Sequence, residues 1–231
     1  MRQYPHRRRL LGAVTIILSL TLLAAVGALL GAPRAHAGGG GVPSKFVLKE
    51  QGQSVLVAYD TLAADGCTAA EVSINGASDI TRMLPGPTET FGPGAFVVVT
   101  QWDQCDPNQP SYFYAGVGFD VSMSVAKSLS SATLTADIPV YLNGDETQPP
   151  AFDVTMTNLA LTATAPAVHT VSNYQSHNPV SNYVAHINAL YAPASAAGIV
   201  TLGPLGSASG ADLVHGEIDS LKAGTTTVTH S

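Results

Sequence analysis

The chain has 231 residues, 11% of them charged, with two cysteines and a net charge of −6. Five of the ten basic residues lie in the first 37 positions and all sixteen acidic residues lie beyond them, so the remainder carries −11 with histidines neutral. A balance this acidic, without a Lys/Arg cluster in the remainder, repels phosphate backbones and anionic lipid surfaces and argues against nucleic acid as a partner.

Arg2, Arg7, Arg8 and Arg9 precede an uncharged apolar run over residues 10–31, and Ala35-His36-Ala37 follows as a small-x-small cleavage site. That order is the layout of a bacterial secretory signal peptide, here over residues 1–37 and with a helical apolar segment. The run also reaches the roughly 20 residues that span a bilayer. The alternative is therefore an uncleaved anchor through residues 10–31, the chain's one route to a membrane. Pro33 and the glycines at 38–41 favour cleavage, with residues 38–45 as a flexible Gly-rich linker. The 194 residues left after cleavage suit one domain with a single core, over residues 46–231.

Beyond the linker, short alternating segments are separated by Gly, Pro, Asn and Asp. Residues 46–49, 54–62 and 71–75 are the first strands, and 95–102 is a continuous apolar run of the kind covered on both faces. Residues 112–123 alternate cleanly, with Phe113, Ala115, Val117, Phe119, Val121 and Met123 on one face and Tyr112, Tyr114, Gly116, Gly118, Asp120 and Ser122 on the other. Residues 132–142 alternate as well, and Pro139, which has no N–H to donate, marks a sheet edge or an irregularity. Asn143-Gly144 reads as a turn that takes positive φ. Residues 152–165 change phase near Thr157-Asn158, the mark of one extra residue in a β-bulge.

The connection over 166–193 reads as a long polar loop, with two helical turns at most over 184–191. Residues 197–202, 212–218 and 225–228 close the domain. The sum is an all-β protein, an antiparallel β-sandwich of about eight to ten short strands behind the signal helix. The C-terminal half (Ser131-Ala132-Thr133-Leu134, the strand through 159–164, and Gly198-Ile199-Val200-Thr201-Leu202) resembles uncharacterised secreted bacterial β-sandwich proteins. That resemblance implies a fold and an exported life, and brings no activity with it.

Cys67 and Cys105 are the only cysteines, and in an oxidising compartment they pair. The loop at 166–193 holds an imperfect nine-residue repeat, Ser172-Asn173-Tyr174-Gln175-Ser176-His177 and Ser181-Asn182-Tyr183-Val184-Ala185-His186. With His169 it offers three imidazoles, His169, His177 and His186, as candidate metal ligands, although their spacing matches no standard site. Asp103, Asp106 and Asn108 around Cys105 are candidate oxygen ligands for calcium, and equally ordinary turn residues. Tyr174, Tyr183, Tyr112, Tyr114 and Trp102 are the rings available to stack on a sugar or a protein partner. Gly206-Ser207-Ala208-Ser209-Gly210 has Ala where a nucleophile elbow needs Ser. His215, Glu217 and Asp219 share one strand face, and plain alternation on a solvated face accounts for them.

No catalytic residue and no cofactor is assigned on these grounds. The chain is expected to be a secreted or extracellular binding or structural module, non-enzymatic, with an extracellular ligand or protein as its partner. The alternatives are a secreted hydrolase with catalytic residues dispersed over loops and a carbohydrate-binding module.

Overall fold

Segments rich in Val, Thr and Ala, alternating with a two-residue period, build fourteen antiparallel strands and one short 3-10 helix in the computed structural model, which describes residues 44–78, 80–83, 88–106, 108–177 and 181–229. All of these belong to one compact unit, Val42–Ser231. The signal segment, its anchor alternative and residues 38–43 of the Gly-rich linker lie outside the described residues. Residues 44 and 45 belong to the first strand instead of the linker. The strands are β1 (Ser44–Leu62), β2 (Thr68–Ala77), β3 (Ile80–Met83), β4 (Thr88–Phe91), β5 (Gly94–Asp103), β6 (Tyr112–Gly118) and β7 (Val121–Val125). They continue as β8 (Ser131–Leu142), β9 (Phe152–Ala163), β10 (Val168–His177), β11 (Ser181–Ala197), β12 (Ile199–Thr201), β13 (Ser207–Ser209) and β14 (Leu213–Thr229).

One sheet runs in the order β10-β11-β14-β1-β2-β5-β6, with the β3–β4 hairpin added on β1. The facing sheet holds β7, β8, β9, β12 and β13. Between them lies the core, in which Val55, Val57, Tyr59, Val72, Ile74, Val97 and Val99 of the first sheet meet Leu134, Ile138, Val154, Met156 and Leu159 of the second. The expected antiparallel sandwich is present. It has more strands than eight to ten because residues 166–193 hold β10 and most of β11, the β3–β4 hairpin and β13 are added, and residues 112–123 divide into β6 and β7.

Two strands change sheet and close the sandwich at its corners. In β8, Ser131–Val140 pair with β9, whereas Tyr141 and Leu142 pair with β6. In β11, Ser181–Pro193 pair with β14, whereas Ala194–Ala197 pair with β9. The circuit β11-β14-β1-β2-β5-β6-β8-β9 therefore returns to β11. A proline stands at each crossing: Pro139 just before β8 reaches β6, and Pro193 as the last residue of β11 paired with β14. Where a ladder changes partner an amide is left over, and proline has none to leave. Of the expected sheet edge or irregularity, β8 carries a register shift between Leu134 and Ala136 and a change of partner after Val140, while Pro139 itself pairs in register with Asp153.

Each corner also needs a glycine on the neighbouring strand. A Cβ on Gly116 of β6 would overlap the Pro139 carbonyl, and one on Gly216 of β14 would overlap the Ala194 carbonyl. Gly118 is tight as well, with the Ile138 side chain 2.9 Å from where its Cβ would sit.

The glycine face of β6 therefore turns inward, and Phe113 and Val117 turn out, 42% and 40% exposed. The alternation over 112–123 does not continue as one strand. The chain bends at Phe119-Asp120 and β7 joins the opposite sheet, where Val121 of the same parity is buried. An unbroken alternation that crosses between sheets exchanges its inner and outer faces.

Local turn chemistry follows the residues. Asn143 and Gly144 both take positive φ, 56° and 68°. The bulge falls in β9 as expected: Leu159 faces Leu134 and Met156 faces Ala136, which leaves Thr157 and Asn158 opposite Thr135 alone. Asn158 has φ 50°, and its N–H donates to Thr135 Oγ1 at 2.9 Å.

Two outcomes follow from this geometry. Gly116→Ala should cost about 3 kcal/mol through overpacking against backbone, whereas Gly224→Ala, with no atom within 4 Å of its added Cβ, should be neutral or slightly stabilising; urea unfolding of both variants measures the contrast. Reducing Cys67–Cys105 should lower the thermal midpoint, because opening a 38-residue separation restores unfolded-state entropy worth about 2–4 kcal/mol, read by calorimetry with and without reductant.

Candidate functional site

Strand β14 alternates Gly216 and Ile218 toward the core with His215, Glu217 and Asp219 on the outer face of the first sheet. The register sets their neighbours. His215 faces Ala58, Glu217 lies between Leu56 and Pro193, and Asp219 lies between Ser54 and Tyr191. Leu56 and Ala58 are buried although they point away from the core. His215 and Glu217 thus stand among apolar neighbours and Asp219 beside Ser54 and Tyr191, and all three are half-buried, not splayed into solvent.

Their electrostatics follow from that placement. Burial pushes the Asp219 carboxyl up to about 9, helped by the hydrogen bond and charge of Glu217 and opposed by a hydrogen bond with Ser54. For Glu217 burial is the largest single influence and acts upward. The nearby His215 ring, through its close contact and charge, and the hydrogen bond with Asp219 outweigh it and hold Glu217 below the usual carboxylate range. One proton is therefore shared by two carboxyls, resident on Asp219 and donated to Glu217. His215 Nε2 is buried and lies 3.3 Å from Glu217 Oε2, an ion-pair distance without hydrogen-bond alignment. Across the same face, Glu71 opposite Asp60 on β2 is also pushed up, by burial and then by the Asp60 charge. A neutral acid stands beside a carboxylate, and both hold those states across neutral pH. Alternation accounts for the shared face, and burial accounts for the coupling.

The expected polar loop is a hairpin, because its Asn, His, Ser and Tyr side chains satisfy one another across a ladder. β10 and β11 pair without interruption from Val168↔Tyr191 to His177↔Asn182. The helical turns considered over 184–191 are likewise part of β11. His169, His177 and His186 all fall on one face, opposite Leu190, Asn182 and Asn173. They are not brought together. His169 and His177 are eight residues apart on one strand, about 26 Å, and His186 is about 13 Å from each along the ladder. Ligands of one ion must each approach it to about 2 Å, so this register does not assemble the three candidate imidazoles into one metal site. Instead His186 Nδ1 donates to Asn173 Oδ1 at 2.5 Å, and His177 Nδ1 pairs in the same way with Asn182 Oδ1. Tyr174 and Tyr183 meet edge to face, with ring centroids 5.9 Å apart.

Cys67 and Cys105 are joined, with Cα atoms 5.2 Å apart, and tie the start of β2 to the end of β5. The chain at both sulfurs is held by Asx turns. Asp65 accepts from the Cys67 and Thr68 N–H groups at 2.8 Å each, and these bonds with the Thr68 hydroxyl hold its carboxyl below the usual range. Asp103 Oδ1 accepts from the Cys105 and Asp106 N–H groups at 2.7 and 2.9 Å, and Asp106 Oδ1 accepts from Asn108 N–H at 3.1 Å. The Oδ1 atoms of Asp103 and Asp106 thus accept from the turn's own N–H groups, as ordinary turn residues do. Asp103 also lies with Cys67 and Cys105 in a group close enough to hold an ion, but both sulfurs there are spent in the disulfide.

Of the remaining rings, Tyr114 turns inward, stacks edge to face on Phe152 at 5.0 Å and pairs its hydroxyl with Gln101 at 3.1 Å. Tyr112 is exposed and Trp102 half-buried. Residues that sequence reasoning did not single out as a surface, Phe96, Val98, Phe113 and Val117, line the outer face of β5 and β6, with Phe96 opposite Val117. The signal was present in the phase of β6, and only the inward glycines decide its direction.

No protein-family description, curated protein or solved structure matches the chain.

Asp219 keeps its proton in the folded protein from about pH 4 to about pH 9, where the unfolded chain has released it. Stability should therefore fall as pH rises through that window. Asp219→Asn should flatten the fall and raise the midpoint at pH 8–9 by at least about 1 kcal/mol, or about 2–4 °C, measured by calorimetry at several pH values.

Proposed function

We propose that the chain is exported and acts at or outside the cell surface as a non-enzymatic binding module. The observation that carries this is the apolar outer face of β5 and β6. Phe96 faces Val117, Val98 faces Ala115, and Phe113 faces Thr100 with Trp102 diagonal to it. Phe119 ends the strip at 80% exposure. The domain fills its core without these side chains, and contiguous apolar surface of this kind marks a contact site. Its flat strip of rings suits a partner that presents an apolar face, either a protein or the faces of sugar rings. Export is supported by the basic–apolar–small order of residues 1–37 and by the Cys67–Cys105 disulfide, which forms where thiols are oxidised.

A secreted hydrolase is the second reading, favoured by the proton shared between Glu217 and Asp219 beside His215. It requires that Glu217→Gln abolish a hydrolytic activity on extracellular polymer while leaving the fold intact.

A photo-crosslinking residue at position 113, in protein exported by a bacterial host, should give adducts outside the cytoplasm that the same residue at exposed Ser124 does not. Mass spectrometry of the recovered protein should begin at Gly38. Equal labelling from both positions, or protein retained inside the cell, overturns this reading.

A further inference from the structure

The nine-residue repeat is complementary to itself. In the β10–β11 ladder Asn173 faces His186 and His177 faces Asn182, while Tyr174 faces Ala185 and Ser176 faces Tyr183. Shifting the β11 residues back by nine, the repeat period, converts each pair into a pair within one copy of the motif. Asn173 then meets His177, Tyr174 meets Ser176, and Gln175 meets itself. The hairpin is thus the Ser-Asn-Tyr-x-x-His motif paired antiparallel with a second copy of itself, about a local two-fold axis through Gln175 and Val184. The same hydrogen-bonded His–Asn pair is made on both sides of that axis.

The other edge of β10 is open. Among the described residues β10 pairs with β11 alone and stands at the end of the sheet order. Nine of its ten residues are exposed, including Val168, Val171 and Tyr174. Its sequence, Val168 to His177, contains none of the lysines, prolines or bulges with which edge strands ordinarily resist pairing.

We propose that β10 is a homodimer edge, pairing antiparallel with β10 of a second copy of this chain about a two-fold axis at Gln175. That register sets Asn173 opposite His177 of the partner subunit and Tyr174 opposite Ser176 of the partner subunit, the facing already present inside the hairpin. Side-chain facing depends on register alone, so it holds whichever ladder positions carry the hydrogen bonds. The pairing uses the same edge on both copies and closes on itself, giving a dimer and not a fibre. It joins two first sheets edge to edge and leaves the β5–β6 face of each copy uncovered. Five facing pairs make a small interface, so association is weak and concentration-dependent.

The test uses the processed protein and three single substitutions. Wild type should move from monomer to dimer in sedimentation velocity between low and high micromolar concentration. Gln175→Lys, which sets two like charges opposite one another, should stay monomeric with unchanged circular dichroism and thermal midpoint. Gln175→Cys should form a disulfide-linked dimer in air, whereas Val171→Cys, on the same face, places the two thiols about 26 Å apart and should not. Wild type that stays monomeric, association that Gln175→Lys leaves unchanged, or equal cross-linking by the two cysteines overturns the inference.

Discussion

The close approach of backbone to backbone at the two sandwich corners is the constraint from which the rest of the molecule follows. A strand that leaves one sheet for the other must give up one ladder before it enters the next, and its carbonyls then press on the strand it joins or leaves. Pro139 and Pro193 remove an amide that would be stranded there, and Gly116 and Gly216 make room for the carbonyls of Pro139 and Ala194. Both corners use the same pair of residue types, although β8 and β11 share no sequence motif. This closes eight strands into a circuit and protects most strand edges, so that among the described residues β10 is left as the long open one.

Requiring glycine on the inner side of β6 has a consequence for the surface. Residues that alternate as a half-buried strand must point somewhere, and with Gly116 and Gly118 inward the larger Phe113 and Val117 face solvent. The chain recovers its usual sense two residues later, when β7 enters the other sheet and Val121 is buried. The exposed strip on β5–β6 is therefore a product of the crossing. Its hydrophobicity exceeds what the crossing itself needs, since small polar residues would fill the same positions at no cost to the core. That excess is the physical reason to regard it as a contact surface.

The polar residues are organised by a different rule. Asn, His, Ser and Tyr in β10 and β11 carry almost no apolar period, and the segment is held by ladder hydrogen bonds and by cross-strand His–Asn pairs. On β14 the same residue classes meet a different environment, because β1 and β11 on either side bring Leu56, Ala58 and Pro193 against them. Exposed polar pairs stay independent, whereas half-buried Glu217 and Asp219 must share a proton.

Much of this was legible in the residues. Alternation marked β6, β8 and β9, the phase change near Thr157-Asn158 marked the bulge, Asn143-Gly144 marked the turn, and the two cysteines marked the disulfide. These are local properties, set by steric preference and by a period of two that any single strand displays. The strands of the 166–193 segment were not legible, because β10 is exposed along nearly its whole length and, among the described residues, β11 fully buries only Ala185 and Ala192 there, too little to write an apolar period into the sequence. Nor was the separation of His169, His177 and His186, which depends on register, or the coupling of Asp219 to Glu217, which depends on what β1 and β11 bring alongside. The sequence by itself determined the all-β class, the turns and the covalent link, whereas only the tertiary structure decided which face of each strand is inside, because that choice is made where strands from distant parts of the chain come too close for a side chain.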